Sequence, residues 1–484
     1  MAITGIAHAS QIVLPGDLYV ALPGQRTHGA RYIDDAVGRG AAAVMTDEAG
    51  AVLARQAGVA TLVAADPRSL LGEAAAYVYG YPARDITVVG VTGTNGKTTV
   101  TSLLHSVLTQ VQGSAGLVGT IETRVGSHVV PSVRTTPEAS DLQAILAVMR
   151  EEGIGSAALE VSSHAIALGR VDGLVLDAAG FTNLSQDHQD FHPDMEHYFA
   201  TKASLFTPRH ARRGVVVVDD PWGRRLSAQA EIPVRTVAAV PDSADHEAVK
   251  DADWQVSDLA STGAGSRARL RGPDGAVHDL RVPLPGTVNV ANAALTIALA
   301  AEVGVDAELA VAALARAPMV PGRMELVPGP GRPVVVVDYA HSPDALDTAL
   351  AALRSTSPAP LVVVVGAGGD RDRSKRAPMG VAAARGADIV IVTDDNPRSE
   401  DAGEIRAAVL DGARSVDPAR VHEIADRAAA ISEAVRLAGN GTVLLAGKGH
   451  EQGQEVAGTV YPFDDREVAR DVLAGLAPAR EADR

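Results

Sequence analysis

Cysteine is absent from this chain of 484 residues, which can therefore form neither a disulfide nor a thiolate metal site. Long apolar runs are missing as well. No stretch of about 20 residues is both apolar and free of charge, which excludes a membrane-spanning helix. The N-terminus lacks a basic segment followed by an apolar run, the pattern of a signal peptide. These absences predict a cytoplasmic protein that does not bind membranes.

Positive charge is also in short supply. The chain has 43 Lys and Arg against 59 Asp and Glu, a net charge of −16, which argues against a nucleic-acid partner. Anionic small molecules remain possible ligands, because local cations and backbone amides can bind them. The length is too great for one hydrophobic core and predicts about three domains. Apolar runs alternate with helical patterns, so we expect the α/β class.

The most informative segment is V-V-G-V-T-G-T-N-G-K-T-T, residues 88–99. An apolar run ends in this glycine turn, and apolar residues at helical spacing follow it, which predicts strand, turn and helix. The N–H groups of a helix N-terminus bind phosphate; Lys97 would neutralise the β- and γ-phosphates and Thr98 could ligate Mg²⁺. The spacing departs from the general P-loop at Val91, where glycine is expected. An ordinary glycine turn is the alternative.

Polar loops follow two further apolar strands of the central region, predicted at 157–161 and 177–182. Glu160 stands at the end of the first and His188 follows the second, so both should lie at the carboxyl edge of the sheet, where ligands bind. A carboxylate beside a phosphate loop is a natural Mg²⁺ ligand. A structural role is the alternative for His188. Lys202 lies on a predicted helix one turn after Tyr198, and a solvated lysine is its alternative.

The pattern divides the chain into three units: 1–85, 86–318 and 319–484. In the first, strands are predicted at 17–22 and 41–45 and a helix at 32–38. In the last, four apolar strands at 334–337, 361–365, 389–392 and 442–446 each end in a polar loop. Right-handed crossovers would bring these loops to one edge, a Rossmann-like arrangement. Their spacing is not that of a dinucleotide-binding fingerprint.

Seven motifs occur along the chain in one order: G-T-N-G-K-T-T, E-V-S-S-H, T-N-L-S-Q-D-H, D-Y-A-H-S-P-D, G-G-D-R-D, D-D-N-P-R and G-K-G-H-E. Together with the N-terminal G-D-L-Y-V-A-L-P-G they resemble the Mur ligase family, ATP-dependent enzymes that form amide bonds. The resemblance covers nearly the whole chain. It implies a uridine-nucleotide-binding α/β domain, a central P-loop ATPase-type α/β domain with a mostly parallel sheet, and a C-terminal Rossmann-like α/β domain.

The resemblance also implies site residues. ATP would contact Gly93, Thr94, Asn95, Gly96, Lys97, Thr98, Thr99, Asn289, Arg323, Asp338 and His341. The UDP-muramoyl dipeptide would contact Ser10, Gln25, Arg26, Thr27, Thr135, Thr136, Ser162 and Arg170. The amino-acid substrate would contact Arg371, Asp395, Asn396, Pro397, Arg398, Gly447 and Glu451. Thr98, Glu160, His188 and a carbamylated Lys202 would hold Mg²⁺, and Lys97, Glu160, His188 and Lys202 would be the catalytic set.

Three departures from the family pattern are visible in the sequence. Ala9-Ser10-Gln11 replaces the Asp-Ser-Arg of many relatives, Leu168 replaces a glutamine, and Val288 replaces a phenylalanine. The first departure leaves the uridine contacts open.

The implied reaction belongs to peptidoglycan precursor synthesis. The γ-phosphate of ATP would pass to the D-Glu γ-carboxylate of UDP-N-acetylmuramoyl-L-alanyl-D-glutamate, and the amine of a diamino acid would displace phosphate from the acyl phosphate. Arg398 favours diaminopimelate, with the meso isomer implied by the family, over lysine. A lysine-adding member, a folylpolyglutamate synthetase-like ligase and a P-loop NTPase switch or motor are the alternatives. A non-catalytic ATP-binding module is a further one, disfavoured because Lys97 and Glu160 are both present. We expect a monomer with small-molecule substrates only.

Overall fold

The computed structural model describes residues 2–24, 27–189, 191–239, 249–262, 265–329 and 333–476. Their strands form sheets of four, eleven and six strands and a separate two-stranded hairpin. The α/β class is confirmed, and each predicted unit contains one of the three larger sheets. Among these residues no helix is both long and apolar enough to traverse a bilayer.

The N-terminal sheet is fully parallel and places two predicted loops at one edge. Its strands lie in the order β1-β2-β3-β4. The loops after β1 and β2 therefore emerge at the same carboxyl edge. The elements are β1 Gly5–Ala7, β2 Asp17–Val20, β3 Ala43–Thr46, β4 Ala60–Val63, α1 Ile33–Gly38, α2 Glu48–Gln56 and α3 Pro67–Val78.

The central sheet is parallel in its middle and antiparallel at both ends. Its order is β15-β14-β13-β12-β11-β10-β5-β9-β6-β7-β8, with parallel pairing from β13 to β6. The strands are β5 Thr87–Thr92, β6 Gly116–Val118, β7 Glu122–Val125, β8 His128–Pro131, β9 Ser156–Glu160, β10 Ala178–Phe181, β11 Gly214–Val217, β12 Val234–Ala238, β13 Trp254–Thr262, β14 Gly265–Arg271 and β15 Val277–Val282. The helices are α4 Lys97–Gln112, α5 Ala139–Glu151, α6 Ser163–Ala167, α7 Met195–Ala203, α8 Pro221–Gln229, α9 Thr287–Glu302 and α10 Ala307–Leu314.

The strand and helix predicted around the glycine turn are β5 and α4. Strand β5 is apolar on both faces because helices cover both sides of the parallel sheet, and Val88, Val89 and Val91 are fully buried. Helix α4 buries the apolar face that its periodicity predicts, including Leu103 and Val107. The turn between them therefore rests on a rigid, well-packed base.

The C-terminal sheet has the order β16-β17-β21-β18-β19-β20 and is parallel except for β16. Three of its four predicted strands match the structure to the residue, and β17 is one residue longer. The elements are β16 Glu325–Val327, β17 Val334–Asp338, β18 Leu361–Val365, β19 Ile389–Val392, β20 Val421–Glu423, β21 Thr442–Ala446, α11 Pro343–Thr356, α12 Arg376–Gly386, α13 Ala402–Arg414, α14 Arg427–Ala438 and α15 Asp465–Gly475. The hairpin β22 Gly453–Val456 and β23 Thr459–Pro462 follows. The four polar loops share one edge, as predicted.

Candidate active site

Two lysine amines converge on one backbone carbonyl of the loop between β5 and α4: that of Lys97, the first residue of α4, and that of Lys202 on α7. Lys97 Nζ donates to Gly93 O (3.0 Å) and Thr94 O (2.9 Å), and Lys202 Nζ donates to Gly93 O (2.7 Å). In the part of the chain that the structure describes, neither amine forms an ion pair. Burial lowers the pKa of both lysines. The two amines are N–H donors beside the loop and suit an anionic ligand.

Two glycines of this loop have backbone conformations that favour glycine. Gly93 has φ +140° and Gly96 has φ +89°. A Cβ at Gly93 would lie 1.9 Å from Thr182 Oγ1, and one at Gly96 would lie 2.4 Å from Asn292 Oδ1. Both positions therefore need glycine for the turn itself and for the close approach of neighbouring side chains.

Neighbouring elements hold the rest of the loop. Asn95 N donates to Asn183 Oδ1 (3.0 Å), and Thr182 Oγ1 donates to Asn95 O (2.6 Å). The predicted Asn289 accepts from Asn292 Nδ2 (3.2 Å), and Asn292 is the side chain that abuts Gly96. Asn289 thus reaches the loop through Asn292.

Glu160 is a buried carboxylate at the edge of the central sheet where strands β5, β9 and β6 end. It accepts from Thr98 Oγ1 (3.0 Å), Thr120 N (2.7 Å) and Thr120 Oγ1 (2.9 Å). Arg323, near the start of the last domain, donates to Thr98 Oγ1 (3.0 Å). Thr120 was missed by the sequence analysis. The sequence shows it only as part of a Gly-Thr pair after a short apolar strand. This pair indicates a contact with Glu160 only when β6 is known to lie beside β9.

Mg²⁺ fits part of the predicted ligand set. Thr98 and Glu160 bring oxygen donors together beside the loop, and oxygen is the donor that Mg²⁺ prefers. Among the described residues, no group of three or more His, Cys, Asp and Glu side chains could hold a metal ion. Desolvation lowers the pKa of His188, so its imidazole is neutral near pH 7, the form that binds metals. The four-ligand set with His188 and Lys202 stays a prediction.

The predicted dipeptide contacts Thr136, Ser162 and Arg170 lie together beside Glu160. Thr136 Oγ1 donates to Glu160 O (2.8 Å) and accepts from Ser162 N (3.2 Å), and Arg170 Nη1 donates to Thr136 O (3.3 Å). Thr135 Oγ1 lies 3.0 Å from Thr120 Oγ1, within hydrogen-bond distance.

A cluster of arginines surrounds a nearby buried carboxylate. Glu138 pairs with Arg134 (2.9 Å), Arg170 (3.0 Å) and Arg68 (3.4 Å). Three guanidinium groups against one carboxylate leave an excess of positive charge, which suits a carboxylate or phosphate of a ligand. Arg68 comes from α3 of the N-terminal domain, and the sequence analysis did not include it.

The predicted uridine contacts are described only in part. Ser10 follows β1 and Thr27 follows β2, so both lie on loops at the carboxyl edge of the N-terminal sheet. Ser10 is buried, and Thr27 Oγ1 accepts from Arg31 (3.5 Å). Gln25 and Arg26 lie outside the described residues. The contacts with uridine stay a prediction.

A cleft of about 450 Å³ separates the central and C-terminal domains. Nine predicted residues line it: Thr135, His188, His341, Arg371, Asp395, Asn396, Arg398, Gly447 and Glu451. The sequence analysis missed five charged or aromatic lining residues: His164, Asp187, Tyr339, Asp372 and Lys375. The structure thus brings residues predicted for the dipeptide, the metal, ATP and the amino acid to one cleft.

Arg398 is fixed in this cleft by the hairpin β22–β23. Its Nη1 donates to Gly369 O (2.7 Å), and its Nε lies 3.3 Å from Glu455 Oε2. Its backbone N donates to Glu455 O (2.9 Å), and its O accepts from Ala457 N (2.7 Å). With φ +53° it has left-handed backbone, which these contacts hold. Pro397, just before it, accepts from Glu400 N (3.0 Å) in the same turn.

The remaining predicted nucleotide contacts stand at the end of β17. Asp338 Oδ2 accepts from Met324 N (2.7 Å), and His341 Nδ1 lies 2.8 Å from Tyr339 O. The Arg323 guanidinium stacks 4.4 Å from the centre of the Tyr339 ring. Burial raises the pKa of Asp338 and lowers that of His341.

Lysine is almost confined to this region. The chain has five lysines. Lys97 and Lys202 contact the glycine loop, Lys375 lines the cleft, and Lys448 lies 3.7 Å from the cleft residue Asp395. Lys250 is exposed elsewhere.

Comparison with known proteins identifies the family. Residues 2–79 match the catalytic-domain model of the Mur ligase family, residues 91–300 the Mur ligase middle domain, and residues 322–449 the Mur ligase glutamate ligase domain. These three matches follow the order of the three sheets.

Relatives of similar length agree with this result. A Streptomyces coelicolor protein named UDP-N-acetylmuramoyl-L-alanyl-D-glutamate--2,6-diaminopimelate ligase is 51% identical, over 97% of this chain and 92% of its own. The UDP-N-acetylmuramyl-tripeptide synthetase of Leifsonia xyli is 49% identical, over 97% and 91%. A solved structure titled as a UDP-N-acetylmuramoyl-L-alanyl-D-glutamate--2,6-diaminopimelate ligase superposes with a TM-score of 0.67 at 32% identity, covering 98% of this chain and 95% of that one. The chain therefore belongs to the Mur ligase family.

Proposed function

We propose that this protein is the Mur ligase that joins 2,6-diaminopimelate to the D-Glu γ-carboxylate of UDP-N-acetylmuramoyl-L-alanyl-D-glutamate at the expense of ATP. The observation that carries the proposal is the cleft between the domains, which is lined by His188 of the central domain and by Arg398 of the C-terminal domain. The two curated relatives support it, since one is named for this reaction and the other for tripeptide synthesis.

The chemistry needs positioning and charge neutralisation. The substrate carboxylate attacks the γ-phosphorus of ATP, and the bond between that phosphorus and the β-phosphate oxygen breaks. ADP departs, and the carboxylate has become an acyl phosphate. The substrate amine then attacks the acyl carbon, loses a proton and displaces inorganic phosphate. Lys97 and the N–H groups at the start of α4 would bind the phosphates, and Arg323 would approach from the last domain.

A metal ion would assist at the same edge. Mg²⁺, when bound, would neutralise phosphate charge. Thr98, Glu160, His188 and a carbamylated Lys202 would hold it. The oxygen atoms of Thr98 and Glu160 are suitable ligands for this ion, and the two side chains already lie in contact.

We propose that residues 1–85 bind the uridine nucleotide, residues 86–318 bind ATP and residues 319–484 bind the amino acid. We also propose that the enzyme acts as a monomer in the cytoplasm. The Arg323–Thr98 hydrogen bond supports a site assembled between two domains. Closing that cleft around the substrates would exclude water from the acyl phosphate.

Product mass tests the function directly. The protein is incubated with ATP, Mg²⁺, the UDP-muramoyl dipeptide and either diaminopimelate or lysine. We expect the mass of the diaminopimelate adduct. The lysine adduct would instead indicate the lysine-adding reaction. ATP hydrolysis without the dipeptide would indicate an NTPase switch, and glutamate addition to a folate would indicate a folylpolyglutamate synthetase-like ligase.

Replacing Lys202 should give an enzyme that small carboxylates rescue. Burial and then the nearby Lys97 ammonium lower the pKa of Lys202, and a neutral amine is the form that adds CO₂. A carbamate on Lys202 would also be an anion that attracts the nearby Lys97 ammonium. Lys202→Ala should lose about 10- to 100-fold in kcat, as for other metal-supporting groups, and regain part of it with formate or acetate.

The Lys250→Ala variant is the control for this experiment, since Lys250 is exposed outside the cleft. It should keep full activity and show no response to carboxylates. Intact-mass measurement of active, unmutated enzyme should show the carbamate under conditions that preserve it. A crystal structure of active enzyme with a free Lys202 amine would contradict the prediction.

A further inference from the structure

Lys448 is a fully buried cation directly behind the amino-acid side of the cleft. Its side chain has no exposed surface. Its Nζ donates to Gly453 O (2.6 Å), Asn396 Oδ1 (3.3 Å) and Glu451 Oε2 (3.5 Å), and it lies 3.7 Å from Asp395 Oδ1. Three of these four partners line the cleft, whereas Lys448 does not. Lys448 therefore acts on a ligand in the cleft through Asp395, Asn396 and Glu451.

The first consequence of these contacts is the orientation of the Asn396 amide. Its Oδ1 accepts from Lys448 Nζ and from Glu455 N (3.0 Å). This fixes Nδ2 on the opposite side, where it donates to Glu451 Oε2 (2.7 Å). Without the cation, one of the two donors that select this orientation is lost.

The second consequence is electrostatic. Asp395 and Glu451 bring two carboxylates to one poorly hydrated wall, and Lys448 supplies the positive charge between them. Burial, and then Asp395, raise the pKa of Glu451, while Lys448 and Asn396 oppose the rise. Tyr339 and Arg427 also interact electrostatically with Asp395 and Glu451. Four further charged residues line the same cleft: Arg371, Asp372, Lys375 and Arg398. Arg427 is itself paired with Asp465 (2.7 Å), which limits its contribution.

We infer that Lys448 is a positioning residue of the amino-acid site. It holds Asp395, Asn396 and Glu451 so that the two carboxylates accept hydrogen bonds from an ammonium group of the bound diamino acid. This assignment rests on the proposed function, because it takes a diamino acid as the ligand. It concerns a residue that does not touch the substrate.

Lys448→Met tests the inference, because methionine keeps most of the length and removes the charge. We expect the KM for diaminopimelate to rise about 10-fold or more, since a charged hydrogen bond contributes roughly 1.5–3 kcal/mol. The KM for ATP should change less than about twofold. The rise in KM should shrink as pH increases, because Glu451 would need a higher pH to ionise once the cation is gone.

Two further variants separate positioning from a structural role. Lys448→Gln keeps a hydrogen-bond donor without the charge and should show the same pH dependence. It also serves if the Met variant fails to fold. Lys448→Arg keeps the charge and should restore a pH profile like that of the unmutated enzyme. Lys250→Met is the matched control for loss of a lysine and should leave both KM values unchanged.

The outcomes separate the two hypotheses. The role of Lys448 would be overturned if the unmutated enzyme makes product from diaminopimelate but both KM values change in parallel, without pH dependence, in Lys448→Met and Lys448→Gln. Absence of any diaminopimelate product with the unmutated enzyme would overturn the proposed function instead. A selective, pH-dependent rise in the KM for diaminopimelate supports both.

Discussion

Lys97→Ala is expected to abolish ligation while leaving the fold intact. Lys97 Nζ donates to Gly93 O and Thr94 O in the loop where we propose that the phosphates of ATP bind. Loss of a cation that stabilises charge in phosphoryl transfer costs about 10³-fold or more in kcat. We therefore expect product formation from ATP, the dipeptide and diaminopimelate to fall below detection in a steady-state assay.

The stability of Lys97→Ala should be unchanged or increased. Burial lowers the pKa of Lys97 below its ordinary value, so its charged form is a cost to the folded state at neutral pH. Thermal melting without nucleotide checks this, with Lys250→Ala as control. Near-normal turnover at an unchanged melting temperature would show that the loop does not bind the reacting phosphates.

Diaminopimelate should be preferred over lysine by about 10⁴-fold or more in kcat/KM, and Arg398→Ala should lose that preference. The two amino acids differ by one carboxylate beside the distal amine. Arg398 lines the cleft, and its guanidinium can bind a carboxylate with two hydrogen bonds. A site built to pair a polar group rejects an analogue that lacks it by this factor, because the site group is left unpaired.

Competition assays with both amino acids and mass detection measure this preference. Arg373→Ala is the matched control, since Arg373 is an exposed arginine of the same domain that pairs with Glu400 (2.9 Å). It should retain the preference. Comparable kcat/KM for lysine in the unmutated enzyme would refute the assignment, as would full discrimination in a folded Arg398→Ala variant.

The sequence predicts the local parts of this structure well. Strand β5 and the four predicted C-terminal strands are contiguous apolar runs, so their ends could be placed within one residue, and the start of helix α4 could be placed at Lys97 after the glycine turn. Glu160 could be singled out because it ends such a strand, and Arg398 because it lies in the polar loop that follows one. Parallel strands place their following loops at one edge, which is why the predicted residues meet in one cleft.

The residues that were missed owe their roles to neighbours distant in the chain. Thr120 contacts Glu160 because β6 pairs with β9, an order that apolar periodicity does not encode. Arg68 meets Glu138 across a domain boundary, and Lys448 gains its role from loops that precede it by about fifty residues. The Mg²⁺ ligands also depend on side chains of separate elements, so the sequence alone does not fix their geometry.

The small number of lysines makes amine-selective labelling of this enzyme easy to interpret. Lysine supplies only five of the 43 basic side chains, and four of the five lie at the active site or behind it. An acylating reagent thus has few side-chain amines to modify, with Lys250 as an exposed internal reference. Peptide mass spectrometry of the native chain can therefore report which ligands cover Lys375 in the cleft, without any engineered probe.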